Sequence, residues 1–257
     1  MLANYHTHTE RCGHAIGEDR EYVEQAIRNG MQVLGFADHC PWVYPDGYIS
    51  PTRMRPEELD GYVASLLSLK QEYADDITIY IGFESEYTPE LLPGQDALLK
   101  DYPIDYHILG QHFLDPEPDT FYTGNVFHDE TLLERYVDSV TEGMETGRYL
   151  YLAHPDLMGF SGDRSIYDKH YRRICAWLQE HDMPVEINMY GVIDHRHYTD
   201  PHFLALAGEY GLKAIIGCDA HKPTMLNDTN GQEECLKMAK KAGLQVIDYL
   251  PGFGPKH

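Results

Sequence analysis

Short apolar runs alternate with longer amphipathic stretches along the chain, the pattern of repeated βα units around a parallel sheet. Seven such units are predicted. The first strand is LANYH, followed by a helix over residues 19–28 with Val23, Ala26 and Ile27 on one face and Gly30 just past its end. MQVLGFADH is the second strand. After a Pro-rich loop over residues 40–55, Pro56 opens a helix whose apolar stripe is Leu59, Val63, Leu66 and Tyr73. ITIYIGFESEY is the third strand.

A short helix over residues 91–100 precedes the fourth strand, YHILGQHFL, and a long acidic loop over residues 115–128 follows it. Its Asp, Pro and aromatic content suits a lid over a substrate. Then come a helix over residues 130–145, the strand YLYLAHPDL, a loop containing SGDRS, and a helix over residues 167–180. PVEINMYG is the sixth strand, followed by a helix over residues 201–210; LKAIIGCDAH is the seventh, followed by a helix over residues 233–242. The last apolar run, LQVIDYL, is an eighth strand or a packing tail. No Gly/Ser linker and no low-complexity tract interrupts the chain, so a single α/β domain over residues 1–257 is expected.

A hydrophobic content of 42% in 257 residues is enough for a core of that size. The formal charge of -22, from 42 acidic against 20 basic residues, repels phosphate backbones and anionic membrane surfaces. Neither nucleic acid nor a membrane is the expected partner. Bound cations could offset part of the acidity, since carboxylates ligate divalent metals. The five cysteines, Cys12, Cys40, Cys175, Cys218 and Cys235, form no CxxC pair and are odd in number, which argues against a disulfide framework. With no basic segment leading into an apolar one at the start, and no apolar run of about 18 residues, a cytoplasmic protein is expected. The spacing does not encode an oligomeric state.

The chemistry lies at the strand ends. In HTHTERCGHA, His6 and His8 sit on one face of an extended segment because strand side chains alternate. His39 ends the second strand, Glu84 the third, His112 the fourth, His154 the fifth, and Asp219 with His221 the seventh. In a (β/α) barrel these ends converge on the face that builds the active site. His14, in the loop after the first strand, points to the same rim. Any one of these residues alone reads as a hydrogen-bonded core side chain; their joint placement points to a polynuclear metal site. His107, His128, His170, His181, His202 and His257 fall outside the pattern and read as surface or core histidines.

The ordered motifs HTH, CGHA, GFADH, IGFE, GQH, AHPD, EINMYG and GCDAH resemble the polymerase-and-histidinol-phosphatase (PHP) family. The stretch RCGHAIGEDREYVEQAIRNGMQVLGFADHCP is most similar to its monofunctional histidinol-phosphatases. The resemblance covers nearly the whole chain and implies a distorted (β/α)7 TIM-like barrel with a trinuclear metal centre. It implies one metal on His6, His8, Glu84 and Asp219, a second on Glu84, His112 and His154 with Glu84 bridging, and a third on His14, His39 and His221. No ligand position is missing.

The implied reaction is hydrolysis of L-histidinol phosphate to L-histidinol and phosphate by metal-activated hydroxide, with Asp219 among the catalytic groups. In related proteins this is the penultimate chemistry of histidine biosynthesis. Metal ions about 3.5 to 4 Å apart can bind the oxygens of a phosphomonoester and bring a bridging water's pKa near neutrality. Mixed imidazole and carboxylate ligands suit zinc, iron or manganese alike.

On the same rim, Arg164 and Lys222 are candidates to bind phosphate, with Arg196 following the sixth strand; the alternative is that they are solvated charges. Asp163 and Glu186 would recognise a cationic amine or imidazole, or orient a ligand histidine. His195 and His197 are candidates for the general acid. Another small phosphate or phosphotyrosine protein remains open as substrate. A PHP module of a DNA polymerase would bring a basic groove and polymerase sequence, which this chain lacks. A structural zinc scaffold would use cysteine heavily in closed four-ligand sites, and the implied ligand set contains none.

Overall fold

A computed structural model describes residues 1–256; His257, read above as a surface or core histidine, lies outside the described residues. The described residues contain nine strands and eight α-helices. They divide into two compact units, one of Met1–Ile108, Cys218–Asp228 and the segment from Asp248 onward, the other of Leu109–Gly217 and Thr229–Ile247.

A four-stranded sheet has the order β1 (Ala3–Asn4), β2 (Val33–His39), β3 (Thr78–Ser85) and β4 (Tyr106–Leu109), all of it in the first unit but Leu109. β1 pairs with β2 and β2 with β3 in parallel, and every residue of β2 and β3 is buried. Burial on both faces explains why VLGFADH and TIYIGFES read as near-continuous apolar runs. The helices α1 (Asp19–Arg28) and α2 (Leu59–Glu72) cover the sheet. The Glu18 N–H donates to Glu21 Oε2 at 2.8 Å and the Glu18 side chain returns the bond, starting α1 with a capping box. A single 3-10 turn over Pro56–Glu58 separates the predicted Pro56 start from α2 itself. A short α3 (Leu92–Leu99) leads to β4.

Tyr106 fastens this sheet. A side chain at Gly82 would stand 2.6 Å from its ring, and one at Gly35 would overlap its hydroxyl. Tyr106 Oη donates to the Tyr5 carbonyl at 2.7 Å. The C-terminal segment is pinned to the same end by Tyr5 Oη donating to the Phe253 carbonyl at 2.7 Å and Tyr80 Oη to Gly254 at 2.8 Å.

The second unit holds a parallel sheet of β7 (Val185–Asn188), β8 (Lys213–Gly217) and β9 (Gln245–Val246), and a parallel pair of β5 (Val126–Phe127) and β6 (Gly159–Phe160). Its helices are α4 (Glu130–Glu145), α5 (Arg164–Glu180), α6 (Met189–Ile193), α7 (Pro201–Glu209) and α8 (Thr229–Ala242). Asp129, Asp163 and Asp200 cap α4, α5 and α7 through the N–H two residues on.

Two expectations change, and one open alternative resolves. YLYLAHPDL is no regular strand: only an isolated Leu109–Leu152 bridge forms there, and the chain turns at His154. α5 starts three residues before Tyr167 because Asp163 caps it. LQVIDYL does contribute a strand, the two residues of β9.

Candidate metal centre

The HxH and DAH segments of the first unit run side by side. Thr7 and Ala220 form a parallel bridge, with the His8 N–H donating to the Ala220 carbonyl at 3.0 Å and the Ala220 N–H to His6 at 3.2 Å. Asn4 locks the pair together: its Nδ2 donates to Thr7 Oγ1 at 2.7 Å, and its Oδ1 accepts the Cys218 N–H at 2.8 Å. His6 and His8, flanking Thr7, are thereby brought beside Asp219 and His221. In the β2–β3 register His39 stands opposite Glu84. Asp219 holds a φ of 49°, the left-handed region that non-glycine residues enter at a cost.

His8 Nε2 lies 3.0 Å from Asp219 Oδ1 and 3.5 Å from Glu84 Oε2, while His6 Nε2 lies 3.5 Å from each of those oxygens. His39 Nδ1 is 3.3 Å from Glu84 Oε2. The potential ligand atoms of His6, His8 and Asp219, of His8, His39 and Glu84, and of His14, His39 and His221 lie within 4.8 Å of one another in each group. His6, His8, Glu84 and Asp219 are buried, and His14 is exposed at the edge. The structure thus gathers every metal-ligand candidate that lies in this unit.

Burial works against charge on His8, but the Asp219 and Asp38 carboxylates outweigh it and push the imidazole up to about 9. His221 moves oppositely, pushed down to about 3 by burial and by the neighbouring charge of His8. Burial also opposes the charge of Asp219, yet His6, His8 and His221 hold its carboxyl well below the usual range. Imidazoles and carboxylates converging on common points form a donor set that fits zinc, iron or manganese. Divalent cations would balance the two carboxylates.

Sequence reasoning missed two residues beside this cluster. Cys12 Sγ lies within 4.8 Å of ligand atoms of His8 and His221, and burial pushes its thiol up. Asp38 is fully buried 3.5 Å from His8 Nδ1. A carboxylate inside the apolar run VLGFADH was the available signal, since a buried charge demands partners.

In the second unit His112 and His154 lie together, with ring centroids 5.0 Å apart and the rings tilted by 61°. His154 is buried and has a φ of 28°.

Residues 4–190 match the model of the PHP domain. The chain belongs to the PHP domain family. It is 28% identical over 237 residues to a protein of Deinococcus radiodurans described as "Probable histidinol-phosphatase", covering 86% of this chain and 87% of that one. A protein of Schizosaccharomyces pombe with the same description is 26% identical over 251 residues, covering 87% and 81%. The crystal structure of histidinol phosphate phosphatase from Lactococcus lactis, complexed with zinc, L-histidinol and phosphate, superposes with a TM-score of 0.72 at 18% identity over 96% of this chain and 95% of that one. That likeness carries the fold, the TIM-like α/β fold of the PHP type.

Of the remaining candidates of this PHP chain, Lys222 belongs to the first unit and the others to the second. Lys222 is exposed directly after His221. Arg164 pairs with Asp200 at 2.9 Å and lines a cavity of about 240 Å³ with Asp156, Ser161, Tyr167 and His197. Burial pushes Asp156 up to about 7, against the opposing hydrogen bond from the Asp200 N–H. His197 Nε2 donates to the Leu157 carbonyl at 2.6 Å. His195 is exposed with a φ of 52°, and Arg196 Nε donates to Asp194 at 2.9 Å with its guanidinium over the Tyr190 ring.

Asp163 is an exposed helix cap. Glu186, a candidate either to recognise a cationic group or to orient a ligand histidine, is buried, accepting the His154 backbone N–H at 2.6 Å, Tyr151 Oη at 3.1 Å and Asn188 Nδ2 at 3.1 Å. No helix among the described residues is long and apolar enough to cross a membrane.

Proposed function

We propose that this PHP chain is a metal-dependent phosphomonoesterase that hydrolyses L-histidinol phosphate to L-histidinol and phosphate, with residues 1–257 acting as one metallophosphatase domain. The observation that carries the reading is the convergence of His6, His8, His14, His39, Glu84, Asp219 and His221 within a single unit. The descriptions of the relatives supply the substrate. His112 and His154 are the proposed further ligands. Divalent metal ions bound by these donors would hold the ester oxygens and lower the pKa of a water to near neutrality.

The chain's own groups do the rest. Asp219, kept ionised by the imidazoles around it, accepts a hydrogen bond from the attacking water and orients it. Lys222 and Arg164 neutralise phosphate charge. His197, held by the Leu157 carbonyl through Nε2, would give the departing alkoxide the proton on Nδ1 when both ring nitrogens carry one, with His195 as the second candidate. A cytoplasmic location goes with this reading.

The test is steady-state phosphate release from L-histidinol phosphate beside p-nitrophenyl phosphate, with the protein loaded in turn with zinc, manganese and iron. A marked preference for histidinol phosphate is expected. Equal rates on both esters would sink the substrate, and silence with all three metals would turn the reading toward a structural metal scaffold.

A further inference from the structure

Behind His8 the first unit carries a buried polar chain that the reaction does not use directly. Asp38 is the only carboxylate in β2 and is fully buried. Its Oδ1 faces His8 Nδ1 at 3.5 Å and accepts the His39 N–H at 2.8 Å, and its Oδ2 accepts the Thr9 hydroxyl. Thr9 Oγ1 in turn accepts from the Arg11 N–H at 3.4 Å and from Arg11 Nη1 at 3.2 Å. A hydroxyl has one proton to give. With its lone pairs turned to Arg11, that proton is committed to Asp38. Arg11 is fixed by a two-point ion pair with Asp19, at 2.7 and 2.9 Å, and Asp19 also accepts the Ser65 hydroxyl at 2.6 Å.

We propose that Asp38 is a positioning residue for the metal centre, setting the His8 ring so that Nδ1 faces Asp38 and Nε2 faces Asp219 and Glu84, with Asp19 holding Asp38 in place through Arg11 and Thr9. An imidazole that directs one N–H at a carboxylate presents its other nitrogen as a lone pair of fixed direction and raised basicity. His8 is where such control matters most, because its ring centroid lies 4.4 Å from that of His39, 4.2 Å from that of His221 and 5.2 Å from that of His6. A rotated His8 ring would disturb the whole cluster. This inference rests on the metal-centre reading and adds to it residues that bind neither metal nor substrate.

The test measures zinc affinity by competition with a chromophoric chelator, and the visible spectrum of the cobalt(II)-loaded protein, for wild type, Asp38→Asn, Thr9→Val and Glu84→Ala. Asp38→Asn keeps the shape but removes the charge that orients His8. It is expected to weaken zinc binding about 10- to 100-fold and to shift the cobalt bands, which a merely structural role would leave in place. Thr9→Val leaves the carboxylate and removes its hydroxyl donor; it is expected to shift the spectrum in the same direction by less, and it decides the matter should Asp38→Asn fail to fold. Wild-type affinity and an unchanged spectrum in the folded variants would overturn the proposal while loss of metal in Glu84→Ala leaves the metal centre standing. A wild-type protein that takes up no metal would overturn both.

Discussion

Glu186 Oε2 accepts the backbone N–H of His154 at 2.6 Å, at a residue whose φ of 28° lies in the left-handed region. A non-glycine residue there is held by its surroundings, and Glu186 supplies the hold from a fully buried position that also collects Tyr151 Oη and Asn188 Nδ2. Glu186→Gln puts an amide where donors already point. It is expected to lower stability by about 1–3 kcal/mol, measured by urea unfolding at fixed metal concentration. An unchanged midpoint would mean that His154 keeps its backbone without Glu186.

Gly217 makes room for that carboxylate, because a Cβ at this position would overlap Glu186 Oε1. Gly217→Ala is expected to cost about 1–3 kcal/mol by overpacking. If displacement of Glu186 is the cause, the cost shrinks when the same change is made in a Glu186→Ala background. Additive costs in the double-mutant cycle would place the clash elsewhere.

The sequence made the metal-ligand candidates legible because they are few in type and regular in place. His6 and His8 share a face by strand alternation, and His39 and Glu84 end consecutive buried strands, so a strand-end rule found them without knowledge of the register that sets them opposite each other. Glu186 and Asp38 were harder. A buried carboxylate and a rim carboxylate look alike in sequence, and only the bonds to His154 and the space at Gly217 separate them. The β5–β6 pair went unseen because two residues on each side carry no periodicity, and YLYLAHPDL misled because an apolar run does not reveal the turn at His154.

Asp163 accepts the Ser165 N–H and hydroxyl, each at 2.7 Å, and these bonds hold its carboxyl below the ordinary value of 3.8. A group whose folded value is depressed contributes stability that is fully present above its unfolded value and is lost as pH falls through the folded value. Asp163→Ala is therefore expected to lower the urea midpoint of the metal-free chain at pH 6. The gap to wild type should narrow once the pH falls below 3.8. The KM for histidinol phosphate should not change; a raised KM would return Asp163 to the substrate.

Metal removal should act on the fold as well as on activity, since the donors of the first unit are buried against one another. Zinc at about 100 times its Kd contributes roughly 2.7 kcal/mol, so chelation is expected to lower Tm by on the order of 5 to 10 °C. Scanning calorimetry with and without chelator checks this. An identical Tm would mean that no ion is bound in the folded chain.

The central claim is that the cluster around Glu84 carries out the hydrolysis. Its most direct test is phosphate release from L-histidinol phosphate by zinc-loaded wild type and Glu84→Ala at equal protein concentration, with folding verified by circular dichroism. The account predicts a loss of about 10³-fold or more, because the missing carboxylate removes several kcal/mol of metal-dependent stabilisation of the transition state. A folded Glu84→Ala protein that turns over histidinol phosphate at the wild-type rate would contradict it.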